Sequence, residues 1–107
     1  MTESDSSYNG WTNYETWLVN LWLTNDEVTY GICRSLAQQF MDESVADTVF
    51  SRKERAGYNL SNELKDMLEE GNPLASQASV YSDLLNAAIC EVNWQEIADH
   101  LLEEYKD

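Results

Sequence analysis

The apolar residues between positions 14 and 23 recur at intervals of three and four, the spacing that places side chains on one face of an α-helix. The stripe consists of Tyr14, Trp17, Leu18, Leu21 and Trp22. Tryptophan buries on the order of 200 Å², so we expect this helix to contribute most to the core. Trp17→Ala and Trp22→Ala should then each cost about 3–5 kcal/mol. Ahead of the stripe, the spacing of Thr12 and Glu15 predicts a capping box.

A second apolar stripe predicts a helix that is capped by Asn25 or Asp26 and ends near Ser44. This stripe consists of Tyr30, Cys33, Leu36, Ala37, Phe40 and Met41. Gly31 lies inside the helix, where glycine costs about 1 kcal/mol relative to alanine. We expect it to admit a close approach of another helix, through Trp17 or Trp22.

The stretch after Ser44 is the least regular part of the chain. The spacing of Val45, Val49 and Phe50 predicts one or two helical turns, and Gly57 is typical of a helix end. Between them, residues 52–55 (RKER) hold three of the six basic residues. This basic cluster has two interpretations: a solvated helix C-terminus, where the dipole favours cations, or a phosphate contact.

Three further elements follow. Leu60, Leu64, Met67 and Leu68 form a stripe that ends at Gly71, a left-handed C′ position with Pro73 beyond it. After a loop over residues 72–79, the next stripe comprises Val80, Tyr81, Leu84, Leu85, Ala88, Ile89 and Val92. Asn93 caps a last helix with Glu96 as its reciprocal partner. That helix presents Trp94, Ile97, Ala98, Leu101, Leu102 and Tyr105.

These patterns predict an all-α fold, a compact single-domain bundle of five or six helices organised around the tryptophan-rich first helix. No stretch alternates with period two for long enough to indicate a strand. The 107 residues suffice for a single core. Residues 1–9 are small, polar and acidic, which predicts a flexible tail ahead of one helical domain over residues 10–107.

The charge balance narrows the class of partner. Twenty acidic and six basic residues give a formal net charge of −14, which repels nucleic acid and anionic lipid. We therefore expect a basic protein as partner, with no direct nucleic-acid binding and no membrane binding. A stacking platform of tryptophans for single strands is the alternative to a tryptophan core, but it requires a cationic groove.

The compartment is predicted from two further features. The N-terminus has no signal-peptide pattern, and no apolar run reaches the roughly 18 residues of a membrane span, so we predict a cytoplasmic protein. Cys33 and Cys90 both fall at apolar helical positions, which favours two buried free thiols. The alternative is a disulfide between them, which requires that their helices touch.

Candidate catalytic and metal-binding residues form no pattern of known chemistry. His100, the one histidine, lies in the last predicted helix, so a nucleophile pair would have to be assembled across the fold. A zinc site would need Cys33, Cys90 and His100 without the short paired spacings of such sites. We therefore predict a non-enzymatic protein with no cofactor and no metal. A carboxylate-dependent hydrolase that needs a metal is the enzymatic alternative.

Several segments resemble a family of small proteins found in bacteriophage and plasmid-borne genomes. They are residues 10–17 (GWTNYETW), 21–27 (LWLTNDE), 72–75 (NPLA), 81–88 (YSDLLNAA) and 92–98 (VNWQEIA). The resemblance covers most of residues 9–105 and is weakest over 45–58. The family is a domain of unknown function, so the resemblance implies a mobile-element setting and no catalytic residues.

Carboxylates form two rows at helical spacing in the second half of the chain. The first row is Glu63, Asp66, Glu69 and Glu70, and the second is Glu96, Asp99, Glu103 and Glu104. Like charges three or four residues apart destabilise a helix by a few tenths of a kcal/mol each. The rows either serve solubility alone or imitate a phosphate backbone and occupy a basic groove.

We therefore expect an acidic interaction protein of a mobile element that binds a basic, nucleic-acid-binding host protein as a nucleic-acid mimic, through these two rows. The resemblance makes a host defence complex, such as a restriction or CRISPR effector, the expected target of inhibition. The alternative is a small helical adaptor or regulatory protein that binds through a hydrophobic surface, with the acidic face serving only solubility.

Overall fold

The computed structural model describes residues 8–105 and places them in five α-helices. These are α1 (Tyr14–Asn25), α2 (Glu27–Glu43), α3 (Arg52–Glu70), α4 (Val80–Glu91) and α5 (Trp94–Leu101). No strand occurs between residues 8 and 105, and the predicted all-α single-domain bundle is confirmed. Residues 1–7 of the predicted tail and residues 106–107 lie outside the described residues.

α3 lies at the centre of the bundle and packs most extensively against α5 and α2. Ala56, Leu60 and Leu64 recur every four residues along it and are 0%, 0% and 2% exposed, so they form one buried stripe. Ile97 and Leu102 meet this core from the α5 side and are fully buried. The helix with the largest share of the packing is therefore α3 rather than the tryptophan-rich α1.

α1 turns a different face to the core from the one predicted. Trp22 is 71% exposed and Tyr14 is 49% exposed, whereas Thr16 and Leu23 are buried. Trp17 is half-buried and packs against the core. Apolar side chains surround most of α1, so their spacing does not single out the face that is buried. The prediction that Tyr14 and Trp22 lie in the core is wrong for this reason.

Asn13, and not Thr12, caps the N-terminus of α1. The Asn13 Oδ1 atom accepts hydrogen bonds from the Thr16 amide at 2.9 Å and from the Thr16 hydroxyl at 2.6 Å. This satisfies one of the amides that the first helical turn leaves without an intrahelical partner. The predicted capping box of Thr12 with Glu15 is therefore wrong by one position.

The starts of α1 and α5 are joined by hydrogen bonds among Thr12, Asn13, Thr16, Asn93 and Glu96, which we call the α1–α5 junction. The Asn93 amide donates to the Thr16 hydroxyl at 2.8 Å, and the Asn93 side chain donates to the Thr12 hydroxyl at 3.3 Å. Asn93 caps α5 as predicted, accepting from the Glu96 amide at 3.1 Å. The Glu96 carboxylate, however, accepts from the Thr12 amide at 3.1 Å instead of returning to Asn93.

α2 follows its prediction except at Gly31. Asp26 caps the helix, and Cys33, Ala37 and Met41 are buried on one side of it. Gly31 is exposed, and a methyl group added there would meet no atom within 4 Å. The predicted close approach of a tryptophan over this glycine is therefore wrong.

Gly31→Ala is expected to raise the free energy of unfolding by about 0.5–1 kcal/mol, because alanine favours the helix and enters empty space. Urea unfolding followed by circular dichroism would show a higher midpoint at an unchanged slope. Gly57→Ala is the matched control, because its new Cβ would lie 2.8 Å from Gln95 Nε2 and force that side chain to move. Equal gains at both glycines would contradict the difference in packing.

The stretch that precedes α3 is a loop, and α3 then runs unbroken through Gly57. The helical turns predicted for Val45, Val49 and Phe50 are wrong. The Asp47 carboxylate accepts hydrogen bonds from the amides of Val49 and Phe50 at 2.8 and 2.7 Å, which fixes a turn instead. The predicted helix end at Gly57 is also wrong, because this glycine is buried where α3 crosses α5.

The basic cluster of residues 52–55 therefore begins a helix instead of ending one. Ser51 caps α3 and forms a capping box with Glu54. The cations thus lie at the positive end of the helix dipole, contrary to the interpretation of the cluster as a C-terminal helix end. α3 ends at Gly71 as predicted, but with φ −86° and not in the left-handed region.

α4 buries less of its apolar stripe than predicted. Ile89 and Val92 are buried, whereas Val80, Tyr81 and Leu84 are 62%, 70% and 64% exposed. α5 agrees with its prediction in part, because Leu101 and Tyr105 are only half-buried and the helix ends at Leu101. The buried residues in and directly after it are Trp94, Ile97, Ala98 and Leu102.

The two cysteines are free and differ in exposure. Cys33 is buried in α2, as predicted, but Cys90 is exposed on α4, so its predicted burial is wrong. Both lie in the described part of the chain, and no disulfide joins them. Among the helices within residues 8–105, none has the length and apolar composition needed to cross a membrane.

Candidate protein-interaction surfaces

The first predicted row of carboxylates lies on the C-terminal half of α3. We call Glu63, Asp66, Glu69 and Glu70 the α3 acid row. Asp66, Glu69 and Glu70 are exposed, and Glu63 is half-buried. Among the salt bridges formed between described residues, none involves this row. Three of its four carboxylates, those of Asp66, Glu69 and Glu70, are therefore presented to solvent.

The second row belongs partly to the framework of the fold. Glu96 is a member of the α1–α5 junction, and the Asp99 carboxylate accepts from Gln95 Nε2 at 3.0 Å. Glu104 forms a salt bridge with Arg34 at 2.6 Å. Each of these acids already has one contact, to a backbone amide, a neighbouring side chain or a cation, and Asp99 makes its contact through Oδ1. As a row they are thus less suited to an external partner than the α3 acid row.

Glu103, the fourth member of that row, is exposed, and its carboxylate lies 3.9 Å from Nδ1 of His100. The Lys53 ammonium donates to the Glu103 backbone oxygen at 3.5 Å, so a cation also stands at this end of the row. The surface around Glu103 therefore carries both negative and positive charge.

The two rows do not form one surface. Gly57 of α3 faces Gln95 and Asp99, and Lys53 reaches Glu103, so α3 and α5 run antiparallel from their crossing. The α3 acid row begins six residues beyond Gly57, about 9 Å farther along the axis, and extends away from α5. A single partner surface would have to reach around the crossing to contact both rows.

The charges of α3 oppose its own helix dipole. Arg52, Lys53 and Arg55 occupy the N-terminal turn, and Glu69 and Glu70 occupy the C-terminal turn, where no basic residue is present. Each such placement costs roughly 0.3–1 kcal/mol at low ionic strength. The position of these charges is therefore not explained by the stability of the helix.

A turn held by Asp47 shapes the surface beside the start of α3. We call residues 47–50 the Asp47 turn. The Phe50 amide, the Arg55 guanidinium and the Val49 amide all donate to the carboxylate, and they lower the pKa of Asp47 to about 2. The Arg55 guanidinium also lies 5.6 Å from the centroid of the Phe50 ring. These contacts hold Phe50, which is 50% exposed, in a fixed position.

The Asp47 turn should make stability depend on pH at the acid end. Because folding lowers the pKa of Asp47, its contribution is present above the ordinary value of 3.8 and is lost as the pH falls to about 2. Asp47→Asn is therefore expected to melt below wild type at pH 7 and to converge on it near pH 2. Calorimetry over this range measures the gap, with Asp42→Asn as an equal-charge control. A gap that stays constant down to pH 2 would contradict the assignment.

A shallow groove lies between the Asp47 turn, the first half of α3 and α5. Its volume is about 520 Å³, and its lining residues are Phe50, Glu54, Arg55, Tyr58, Asn59, Gln95 and Asp99. Of these, Asp99 was predicted as a partner-binding residue, and Glu54 and Arg55 belong to the basic cluster for which a phosphate contact was one interpretation. The exposed aromatic side chains were missed because Phe50 was assigned to a helical stripe and Tyr58 was given no role. The pairing of Arg55 with two nearby aromatics in sequence was the available signal.

A second exposed surface is the outward side of α1. We call Tyr14, Leu18, Leu21 and Trp22 the α1 outer face, because helical spacing places them on one side, opposite the buried Thr16 and Leu23. Leu18 and Leu21 are half-buried. None of the four side chains is charged. Four of the five residues predicted as the core stripe of this helix thus form an uncharged, partly aromatic surface, and the fifth, Trp17, packs against the core.

Residues with catalytic or metal-binding chemistry are dispersed. His100 is exposed, and its ring centroid lies 4.3 Å from that of Trp11. Burial raises the pKa of the Cys33 thiol, and Cys90 lies on a different helix surface. Across residues 8–105, no three His, Cys, Asp or Glu side chains are grouped so that they could hold a metal ion.

Comparison with known proteins gives one match. The model of the Family of unknown function (DUF7249) matches residues 4–105. No curated protein and no solved structure shows significant similarity to the chain. The resemblance of the sequence to a domain of unknown function is thereby confirmed. Because the match covers nearly all of its length, the chain belongs to the Family of unknown function (DUF7249).

Proposed function

We propose that this is a non-enzymatic interaction protein that binds a basic, nucleic-acid-binding protein through the α3 acid row. The observation that carries the proposal is the exposed set of carboxylates on the last turns of α3, placed against the helix dipole. Because this charge pattern lowers the stability of its own helix, we infer that the carboxylates serve binding and not folding. The net charge of −14 would steer a basic partner toward the molecule and repel an acidic one.

The spacing of the row supports mimicry of a nucleic-acid strand. Glu63 and Glu70 are seven residues apart, which is about 10.5 Å along the helix axis. Four carboxylates over this length give one charge about every 3.5 Å, close to the roughly 3.4 Å per charge of one DNA strand. A basic groove built for phosphates would therefore meet a similar charge density. The resemblance to proteins of bacteriophages and plasmids supports a host defence complex, a restriction or CRISPR effector, as the target.

The test replaces Asp66, Glu69 and Glu70 with lysine together, since all three are exposed. The variant is expected to bind about tenfold or more weakly than wild type to the basic protein recovered from host lysate, in 150 mM salt. It should also be more stable, by roughly 0.3–1 kcal/mol each at Glu69 and Glu70, because lysine suits a helix C-terminus. Loss of binding with a gain in stability cannot be explained by unfolding.

The matched control reverses three exposed carboxylates on other helices, Glu43, Asp83 and Glu91, which changes the net charge equally. This control should keep affinity within about threefold, because none of its charges belongs to the α3 acid row. If both triple variants lose the same affinity, only net charge matters and the α3 acid row has no special role. If neither loses affinity from 50 to 500 mM salt, mimicry is excluded.

The second candidate is a hydrophobic adaptor or regulatory protein, favoured by the exposure of the α1 outer face. Trp22 is 71% exposed, and large exposed aromatics are frequent anchors of protein interfaces. This function predicts that Trp22→Ser abolishes binding at every salt concentration, while the triple lysine variant on α3 still binds. The two candidates therefore give opposite results in the same assay.

A further inference from the structure

The groove beside the Asp47 turn combines aromatic surface with carboxylates from two helices. Tyr58 is 63% exposed and Phe50 is 50% exposed, and both line the groove. Glu54 of α3 and Asp99 of α5 line the same groove. An adjoining depression shares Glu54 and Asp99 and adds two carboxylates, Glu96 and Glu103, together with Lys53 and His100. Aromatic faces next to carboxylates suit a cationic side chain with an extended apolar stem.

The aromatic side is held in place before any partner arrives. Asp47 fixes the backbone of its turn and pairs with Arg55, which lies over the Phe50 ring. Asp47 offsets the charge of Arg55, and the four carboxylates that line the groove and the adjoining depression outnumber the cations Arg55 and Lys53. A surface that is ordered in advance loses less entropy on binding than a mobile loop.

The acidic side depends on Gly57. A Cβ at this position would lie 3.0 Å from Asp99 Oδ1 and 2.8 Å from Gln95 Nε2, closer than ordinary contact. Without a side chain at Gly57, α5 approaches α3 closely enough to bring Asp99 to the rim of the groove. Glu54 uses its Oε1 atom to accept from the Ser51 amide at 2.8 Å, and its second oxygen takes no part in that bond.

We propose that this groove binds an arginine side chain of the basic partner. The guanidinium would pair with the carboxylates of Glu54 and Asp99, and its planar face and stem would lie against Tyr58 and Phe50. Arginine is favoured over lysine because its planar fork can bond two carboxylates and stack on an aromatic ring at once. The inference rests on the proposed basic partner, and it adds an anchor that lies apart from the α3 acid row.

The test uses the full chain and a capped tri-arginine peptide in 150 mM salt, followed by ¹H–¹⁵N NMR. Saturable shifts are expected at the side-chain amides of Gln95 and Asn59, which line the groove and report on it directly. The matched tri-lysine peptide should bind about threefold or more weakly. Peptide binding at this site is measured without knowing the natural partner.

Three variants locate the contacts. Asp99→Asn should weaken tri-arginine binding about fivefold or more, through loss of a charge-assisted hydrogen bond. Tyr58→Ala should weaken tri-arginine binding about threefold, as expected for an exposed cation–π contact. Tyr58→Phe keeps the aromatic ring and should bind the peptide as tightly as wild type. Asp83→Asn, on α4, removes one exposed charge outside both the groove and the α3 acid row and should leave the affinity unchanged.

Equal binding of tri-lysine, or shifts centred on residues 63–70, would overturn the proposal, because both indicate attraction by net charge alone. Unchanged affinity in Tyr58→Ala would also overturn it. A wild-type dimer in sedimentation that Tyr58→Ala makes monomeric would assign the groove to a second copy of the chain instead. If the groove proposal fails any of these tests, the proposed function of the α3 acid row still stands on its own test, because the triple lysine variant changes no groove residue.

Discussion

Leu60→Ala is expected to lower the free energy of unfolding by about 2–5 kcal/mol, whereas Trp22→Ala should change it by less than about 1 kcal/mol. Leu60 is fully buried at the centre of α3, so its truncation leaves a cavity among α2, α3 and α5. Trp22 is 71% exposed and loses little contact. The larger side chain therefore has the smaller effect, opposite to the sequence-based expectation of about 3–5 kcal/mol for Trp22.

Urea unfolding followed by far-ultraviolet circular dichroism measures both variants, since tryptophan fluorescence would itself be changed by the second. Leu60→Met is the control, because it nearly conserves volume and should cost less than about 1.5 kcal/mol. A Trp22→Ala variant destabilised as much as Leu60→Ala would show that α1 is turned inward in solution.

Thr16→Val is expected to cost about 1–3 kcal/mol, because it removes the hydroxyl that links α1 to α5. The Thr16 hydroxyl donates to Asn13 and accepts from the Asn93 amide, and the residue is fully buried. Valine keeps the shape of the side chain but removes the hydroxyl that the Asn93 amide and the Asn13 Oδ1 atom use as a hydrogen-bond partner. The same urea assay would show a lower midpoint.

Thr29→Val is the control for that experiment. At the start of α2, the amide and hydroxyl of Thr29 donate to Asp26 at 2.9 and 2.7 Å, the arrangement that Thr16 makes with Asn13. Thr29, however, receives no hydrogen bond from another helix within residues 8–105 and is only half-buried. We expect its substitution to cost about 0.5–1 kcal/mol. Equal costs at both positions would mean that the cap, and not the α1–α5 junction, determines the effect of Thr16.

Features fixed by local chemistry were predictable from the sequence. The caps at Asp26 and Asn93 and the helix end at Gly71 are confirmed, because each depends on residues within one turn. Gly57 shows the limit of such reasoning: a glycine that ends a helix and one that lets two helices touch have the same local sequence. Only the crossing of α3 with α5 distinguishes them.

For the candidate surfaces too, the sequence predicted features within one helix but not contacts between distant segments. Helical periodicity correctly placed Asp66, Glu69 and Glu70 on an exposed side of one helix. It could not show that Glu96 is used by Thr12, because that contact joins residues 84 positions apart. The aromatic groove was not predicted for a related reason, since the carboxylate of Asp47 turns a stretch with helical spacing into a loop.

Because the two cysteines differ in exposure, alkylation of the native chain can measure local opening of the fold. Cys90 is exposed and open to an alkylating reagent, whereas Cys33 is 0% exposed and burial raises the pKa of its thiol. Because only the thiolate reacts, the second alkylation must wait until α2 separates from the core. At a reagent concentration where alkylation outpaces reclosing, the lag between the first and second mass increments reports the opening rate around Cys33, without any engineered label.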